Sequence, residues 1–278
     1  MRLVLRDAAS LAAYERSEGL RLVEGDIRTC LRLPADTPES ISAVSRLLVT
    51  CKAYDAEAAV ARVSHRLLPG AQVVLLQNGL GSQQAVAAAL PQAQVYFAST
   101  TEGAFRRADG AVVFAGHGFT WIGRPGDTTV PEWSGDLARA SIAHQFTPDI
   151  MTRLWRKLAI NCAINPLTVL HGCPNGELSG HAASLASLCE ELTALLRAVG
   201  QPEAAQGLLA DVEAVIRATA ANYSSMYQDV ATGRRTEVHY LLGHACRQAR
   251  LTGTAVPALE ALHQALLAAL RAKGLPTN

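Results

Sequence analysis

Ser45-Arg-Leu-Leu-Val-Thr50 and Gln72-Val-Val-Leu-Leu76 are short, mainly apolar runs, and between them residues 56–68 carry apolar side chains at helical spacing and close on Pro69-Gly70. An apolar run of this length bounded by turn residues reads as a strand buried on both faces, and two such strands joined by a helix belong to a parallel sheet. Working outward, residues 2–5 read as a strand, 8–18 as a helix, 82–90 as a helix and 94–98 as a strand. This alternation predicts a doubly wound α/β domain. From residue 111 the period changes: 111–115 and 119–122, joined through Gly116-His-Gly118, read as an antiparallel pair. Beyond residue 148 almost everything is helical, with helices expected near 181–199, 204–221, 237–251 and 257–273 and breaks at Gly200, Gly233 and Gly253. Two domains are therefore expected, an α/β domain over residues 1–148 and an all-α domain over 149–278.

Lys and Arg number 25 and Asp and Glu number 24, so no global charge argues for nucleic acid or an anionic membrane as partner. Cys30, Cys51, Cys162, Cys173, Cys189 and Cys246 are scattered, with no Cys-x-x-Cys pair and no histidines at zinc spacing. They read as reduced core thiols of a cytoplasmic protein, and metal is discounted. No apolar run approaches the ~20 residues that span a bilayer, and the first residues, Met1-Arg-Leu-Val-Leu-Arg6-Asp7, look like a strand rather than a signal peptide.

The segment Leu154-Trp-Arg-Lys157-Leu-Ala-Ile-Asn161-Cys-Ala-Ile-Asn165-Pro-Leu-Thr168 is apolar except that Lys157, Asn161 and Asn165 recur every fourth residue. At about 100° per residue, steps of four drift by only about 40°, so the three polar groups share one stripe of a helix. Such groups are costly to bury without partners, which points to a ligand bearing oxygen atoms. The alternative is that Lys157 snorkels to water and the two amides bond loop backbone.

Ligands of a doubly wound sheet lie beyond the carboxyl ends of its strands. The residues there are Arg6-Asp7, Cys51-Lys52-Ala53-Tyr54, Gln77-Asn78-Gly79-Leu80-Gly81 and Ser99-Thr-Thr-Glu-Gly-Ala104. Two cations, an amide and glycines at successive strand ends suit a nucleotide carrying phosphates. Arg6 fits the position that accepts a 2′-phosphate, which favours NADPH over NADH. No Gly-x-Gly-x-x-Gly occurs within these 278 residues. In the helical part, Asn222-Tyr-Ser224-Ser225-Met-Tyr-Gln228-Asp229 forms a polar patch. Glu237 reads either as a first-turn carboxylate favoured by the dipole of the helix it opens, or as a partner for Lys157.

Together these residues resemble the 2-dehydropantoate 2-reductase, or ketopantoate reductase, family. The resemblance is carried by the Leu154–Thr168 segment with Cys173-Pro-Asn175-Gly-Glu-Leu178, by Ser224-Ser-Met-Tyr-Gln-Asp229 with Arg235-Thr-Glu237, and by Lys52-Ala53 and Gln77-Asn78-Gly-Leu-Gly81, and it spans essentially the whole chain. It implies a Rossmann-like domain followed by a helical one, and NADPH-dependent reduction of 2-dehydropantoate to (R)-pantoate in pantothenate biosynthesis. It implies Lys157 as general acid and Glu237 as the second catalytic residue. Arg6, Lys52, Asn78, Ala104 and Glu237 match its cofactor positions, and Asn78, Lys157, Asn161, Asn165, Asn175 and Ser225 its substrate positions. The implied partner is a small 2-keto acid, with neither nucleic acid nor membrane, and a homodimer is compatible with it. The rival expectations are a reductase of another 2-keto acid and a non-catalytic remnant.

Members of the family begin with a strand, a Gly-rich turn and a helix, and this sequence resembles them from their second strand onward. The expectation is therefore an N-terminally incomplete dinucleotide-binding domain, either because Met1 is internal to a longer protein or because the gene product is truncated, with weakened NADPH affinity for the chain as given.

Overall fold

The computed structural model describes residues 1–107 and 109–278. The chain divides into two compact units, one made of Met1–Cys51, Asp55–Leu76 and Val86–Pro148, the other of Lys52–Tyr54, Gln77–Ala85 and Asp149–Asn278. Two short segments that follow strands thus group with the helical half of the chain.

In the first unit Leu3–Val4 (β1) leads into Ala8–Arg16 (α1), which Asp7 caps by accepting the Ser10 N–H at 2.7 Å. Leu20–Glu24 (β2) and Ile27–Leu31 (β3) form a hairpin turning on Gly25, whose φ of +56° suits glycine. Ala35–Asp36 (β4) pairs in parallel with β1. Next come Val44–Val49 (β5), Ala53–Val63 (α2), Leu67–Leu75 (β6), Ser82–Ala89 (α3) and Gln94–Thr100 (β7), with β5, β6 and β7 parallel neighbours. The unit is completed by Gly103–Arg106 (β8), Val112–Gly116 (β9), Thr120–Gly123 (β10), Ser134–Arg139 (α4) and His144–Phe146 (β11). The strand orders are β11-β10-β7-β6-β5 in one sheet and β3-β2-β9-β8 in another, so the architecture is the expected parallel-rich, Rossmann-like α/β arrangement.

The side chains of the five-stranded sheet alternate between faces. Tyr96, Ala98 and Ile122 pack on one side with Val74, Leu76, Trp133, Leu137 and Phe146, and Trp133 meets both Tyr96 and Phe146 edge-on. Val73, Leu75 and Phe97 on the other face are buried, as are Ala56, Val60 and Val63 of α2. Arg66, in the tight turn between α2 and β6, has a side chain only 1% exposed. Its guanidinium holds both Asp36 oxygens, at 3.1 and 2.9 Å, and donates to the Ser42 and Thr37 carbonyls. Every edge of this buried cation is therefore matched.

Several expectations change. Residues 111–115 and 119–122 do not pair with each other: β9 joins β8 and β2, whereas β10 lies antiparallel to β7 and parallel to β11. Gly118 is where the chain crosses between sheets, because a Cβ there would stand 2.3 Å from Glu102 N. The helix expected at 56–68 runs over Ala53–Val63, and Pro69-Gly70 lies inside β6 instead of closing a helix. The β2–β3 hairpin was not assigned from sequence. Cys30 is exposed and Cys51 half-buried, while the other four cysteines are buried; all six are free thiols.

The second unit is built on Ile150–His171 (α5), a 22-residue helix that ends where Gly172 turns left-handed at φ +67° and donates its N–H to the Thr168 carbonyl. Ala182–Ala198 (α6), Pro202–Ala205 (α7), Leu208–Ala218 (α8), Ser225–Ala231 (α9), Leu242–Thr252 (α10) and Pro257–Ala272 (α11) follow. The helix expected from residue 237 starts at Leu242, so Glu237 lies in the turn ahead of α10 rather than in a first helical turn. Among the described residues no helix is long and apolar enough to cross a membrane.

Candidate active site

The apolar face of α5 is buried through Leu154, Trp155, Leu158, Ala159, Cys162 and Ala163. On its polar stripe Lys157 and Asn161 are half-buried and Asn165 is buried. The stripe continues one turn further to Thr168, whose hydroxyl bonds the Asn165 carbonyl and the Ser224 hydroxyl, each at 2.7 Å. Ser224 in turn caps α9 by accepting the Tyr227 N–H at 3.1 Å, which leaves Ser225 exposed as the first residue of that helix. The lysine stripe and the start of α9 are thus joined by a buried pair of hydroxyls.

Asn175 is fixed from a different direction. Its N–H bonds the Asn222 carbonyl at 2.8 Å, its side-chain amide donates to the Thr219 hydroxyl at 2.8 Å, and its buried Oδ1 has no hydrogen-bond partner among the described residues. A buried acceptor left unmade is costly, so this oxygen is a place for a ligand donor.

Glu237 is buried and gathers the other polar groups. One carboxylate oxygen accepts the Ala53 N–H at 3.0 Å; the other lies 3.5 Å from Asn78 Nδ2 and 3.7 Å from Lys52 Nζ. Ala53 opens α2, so this carboxylate satisfies one of the helix's orphan N–H groups at the positive end of its dipole. Lys52 makes a closer contact, 2.6 Å, with Asp229 Oδ2 of α9. Burial alone would lower the Lys52 pKa, but the Glu237 and Asp229 carboxylates outweigh it and raise it above the ordinary lysine value.

Lys157 is the opposite case. Its ammonium lies deep enough in protein that desolvation pushes its pKa down to about 8, with the Glu237 charge acting against the fall. The outcome is a cation that remains protonated at neutral pH yet gives up its proton close to it, the property required of a general acid.

The Asn78-Gly79-Leu80-Gly81 loop is held by the turn before α10. Leu80 N–H bonds the Tyr240 carbonyl at 2.9 Å, and a Cβ on Gly79, at φ +76°, would stand 2.4 Å from that same oxygen. Gly81 abuts His244, a histidine that stacks obliquely on Trp155 and that burial, then the Arg247 charge, keep neutral with a pKa near about 4. These two glycines make room for protein and not for a phosphate. What fits a nicotinamide nucleotide here is the donor set, a partly exposed ammonium on Lys52 and a half-buried amide on Asn78, both immediately after parallel strands.

Of the residues singled out from sequence, Lys52 and Asn78 each approach Glu237, and Lys157 feels Glu237 through its charge. Asn161 and Asn165 share the stripe of Lys157, and Ser225 adjoins the Ser224–Thr168 link. Arg6 and Ala104 belong to the other unit: Arg6 is exposed, pairs with Asp7 at 3.1 Å and gives its carbonyl to Arg62, and Ala104 lies on β8 opposite Phe114. Asp229 belongs to the polar patch of residues 222–229, and nothing around it in sequence gives it a role. No local signal could have supplied one, since its partner Lys52 is 177 positions away. Among the described residues no group of three or more His, Cys, Asp or Glu is placed to hold a metal ion.

A family model described as ketopantoate reductase PanE/ApbA matches residues 1–127, and the model for the C terminal part of ketopantoate reductase PanE/ApbA matches residues 149–270. The chain is 36% identical over 232 residues to the 2-dehydropantoate 2-reductase of Salmonella typhi, a match covering 81% of this chain and 74% of that protein. It is similar in structure to a PanE/ApbA family ketopantoate reductase from Ralstonia eutropha JMP134, with 25% identity, a TM-score of 0.87 and coverage of 98% and 91%. A D-mandelate dehydrogenase solved with NADH and anilino(oxo)acetate shares the fold at a TM-score of 0.90 and 20% identity, covering 99% and 92% of the two chains.

Proposed function

Because the chain belongs to the ketopantoate reductase family, we propose that it reduces the keto group of 2-dehydropantoate to the hydroxyl of (R)-pantoate, a step of pantothenate biosynthesis, with NADPH as cofactor. When bound, the nicotinamide supplies the hydride. Lys52 and Asn78 would hold its nicotinamide end beside Glu237, Ala104 would line the cofactor, and Arg6 would face the 2′-phosphate. In this reading residues 1–148 serve the cofactor, and residues 149–278 carry the substrate and the acid. The protein works in the cytoplasm.

The observation that supports the reading is Lys157, a lysine with a pKa near about 8 within the field of a buried carboxylate. Its ammonium donates a proton to the substrate oxygen as negative charge develops there, and its positive charge is most valuable at that moment. Glu237 opposes the loss of that proton before the reaction begins. Asn161 and Asn165, on the same stripe, and Ser225 at the head of α9 orient the hydroxyl and carboxylate of the acid. Asn175 offers its unpartnered Oδ1 to the substrate hydroxyl. Side-chain amides and a hydroxyl suit this task because each recognises an oxygen without adding a charge that would compete with Lys157.

The test is steady-state NADPH oxidation with 2-dehydropantoate beside a panel of other 2-keto acids. The expected result is a kcat/KM for 2-dehydropantoate above all others; a clear preference for another acid would replace the substrate, and no turnover with any of them would remove the activity.

A further inference from the structure

Asp229 has no part in the scheme above, yet it makes the shortest polar contact of the cluster. Its Oδ2 is 2.6 Å from Lys52 Nζ, whereas the Glu237 carboxylate stands 3.7 Å from the same nitrogen. Both acids are almost fully enclosed, with side chains 6% and 5% exposed. Charge-assisted N–H···O contacts normally close to about 2.7–2.9 Å, so Lys52 has been drawn to one buried carboxylate and kept short of bonding the other. Asp229 is itself held by the end of α9. Its second oxygen faces Arg234 Nε at 3.4 Å and its backbone carbonyl accepts the Arg234 N–H at 2.7 Å. Glu237 meanwhile keeps its own partners, the Ala53 N–H and Asn78.

We propose that Asp229 is a positioning residue, which acts through Lys52: by holding that ammonium away from a close pair with Glu237, it leaves the Glu237 charge free to act on Lys157. The inference rests on Lys157 being the proton donor. Without the Asp229 charge, Lys52 would close onto Glu237, because a buried carboxylate takes whatever cation is in reach. The pair would then cancel the field that keeps the proton on Lys157.

Other charges near α5 are engaged elsewhere. Asp211 of α8 pairs with Arg156, Glu191 of α6 accepts the Ala258 and Leu259 N–H groups at the start of α11, Glu260 of α11 faces Arg250, and His263 of α11 lies in the field of Arg250. Glu237 is the carboxylate that acts on Lys157. The influence therefore runs from Asp229 to Lys52 to Glu237 to Lys157.

The experiment titrates Lys157 directly, by NMR of the lysine side-chain carbons in the cofactor-free full chain, and compares the alkaline limb of the turnover profile. Asp229→Asn should lower the Lys157 midpoint by on the order of one pH unit and move the alkaline limb with it, and Asp229→Glu should restore both. Lys52→Met should raise the midpoint, and in that background Asp229→Asn should add nothing. An unchanged midpoint in Asp229→Asn, or the same shift with Lys52 absent, would overturn the inference, since the effect would then not pass through Lys52. If Asp229→Asn does not fold, Lys52→Met still decides, and a midpoint that does not rise overturns it. A shifted Lys157 midpoint with an unmoved rate profile supports the positioning role and instead removes Lys157 as proton donor.

Discussion

Replacing Lys157 with methionine should make the protein more stable and less active at once. The fall of the lysine pKa from 10.5 to about 8, at about 1.4 kcal/mol per pH unit, means that the protonated side chain costs the fold up to about 3 kcal/mol. The sign follows from linkage. The folded pKa lies below the unfolded one, so between about pH 8 and 10.5 the unfolded chain binds more protons, and stability contributed at this site rises with pH. Below that window the full penalty is present. Lys157→Met removes the charge while keeping an unbranched apolar stem, so the variant should exceed the wild type by up to about 3 kcal/mol near pH 7, the margin shrinking to little near pH 10.5. Paired urea titrations of the two proteins at a series of pH values measure this difference, and other titrating groups cancel in the comparison. Turnover should fall by ~100-fold or more, as for the loss of a general acid, and wild-type turnover should decline as pH rises through about 8. A stability difference that stays flat across this range would refute the argument, because Lys157 would then have an ordinary pKa.

Arg66→Met should destabilise the first unit by about 1–3 kcal/mol, since the Ser42 and Thr37 carbonyls lose their donor and the half-buried Asp36 keeps only Arg2, at 3.6 Å; urea unfolding followed in that unit would show it, and a loss under about 0.5 kcal/mol would mean the pair adds little. Gly79→Ala combines a positive φ with a Cβ 2.4 Å from the Tyr240 carbonyl, so the Asn78 loop must shift; the expected result is KM for the cofactor raised by about tenfold or more, as for a misplacement of about 1 Å in a positioned group, with wild-type kinetics contradicting it. Arg6→Ala should weaken NADPH while leaving NADH little changed, and equal losses for both would exclude a role in reading the phosphate.

Much of the local architecture could be read directly from the residues. The buried strand around Val73 announced itself as an apolar run, and the α5 stripe of Lys157, Asn161 and Asn165 by its four-residue spacing, because both signals depend only on near neighbours. The run around Leu47, read as buried on both faces, is a strand at the sheet edge with Leu48 57% exposed, since which strands flank it is not written in its own residues. The β2–β3 hairpin is equally local, with Gly25-Asp26 set between its two strands. Pairing between distant strands was not legible. Residues 112–116 and 120–123 have the composition of a hairpin, and nothing in it shows that Gly118 threads past Glu102 and sends them to different sheets.

The residues of the candidate site were likewise present in the chain: a lysine, amides, a serine and a glutamate at recognisable spacings. Their relations were not. That Glu237 caps α2 at Ala53, that Lys52 is held by Asp229 and only approached by Glu237, and that Lys157 has lost enough water to titrate near neutral pH are outcomes of three-dimensional burial. The physical reason is one of range. Side-chain periodicity follows from covalent geometry over a few residues, but desolvation and charge coupling depend on distances of a few ångströms between groups up to 184 positions apart, and only folding sets those distances.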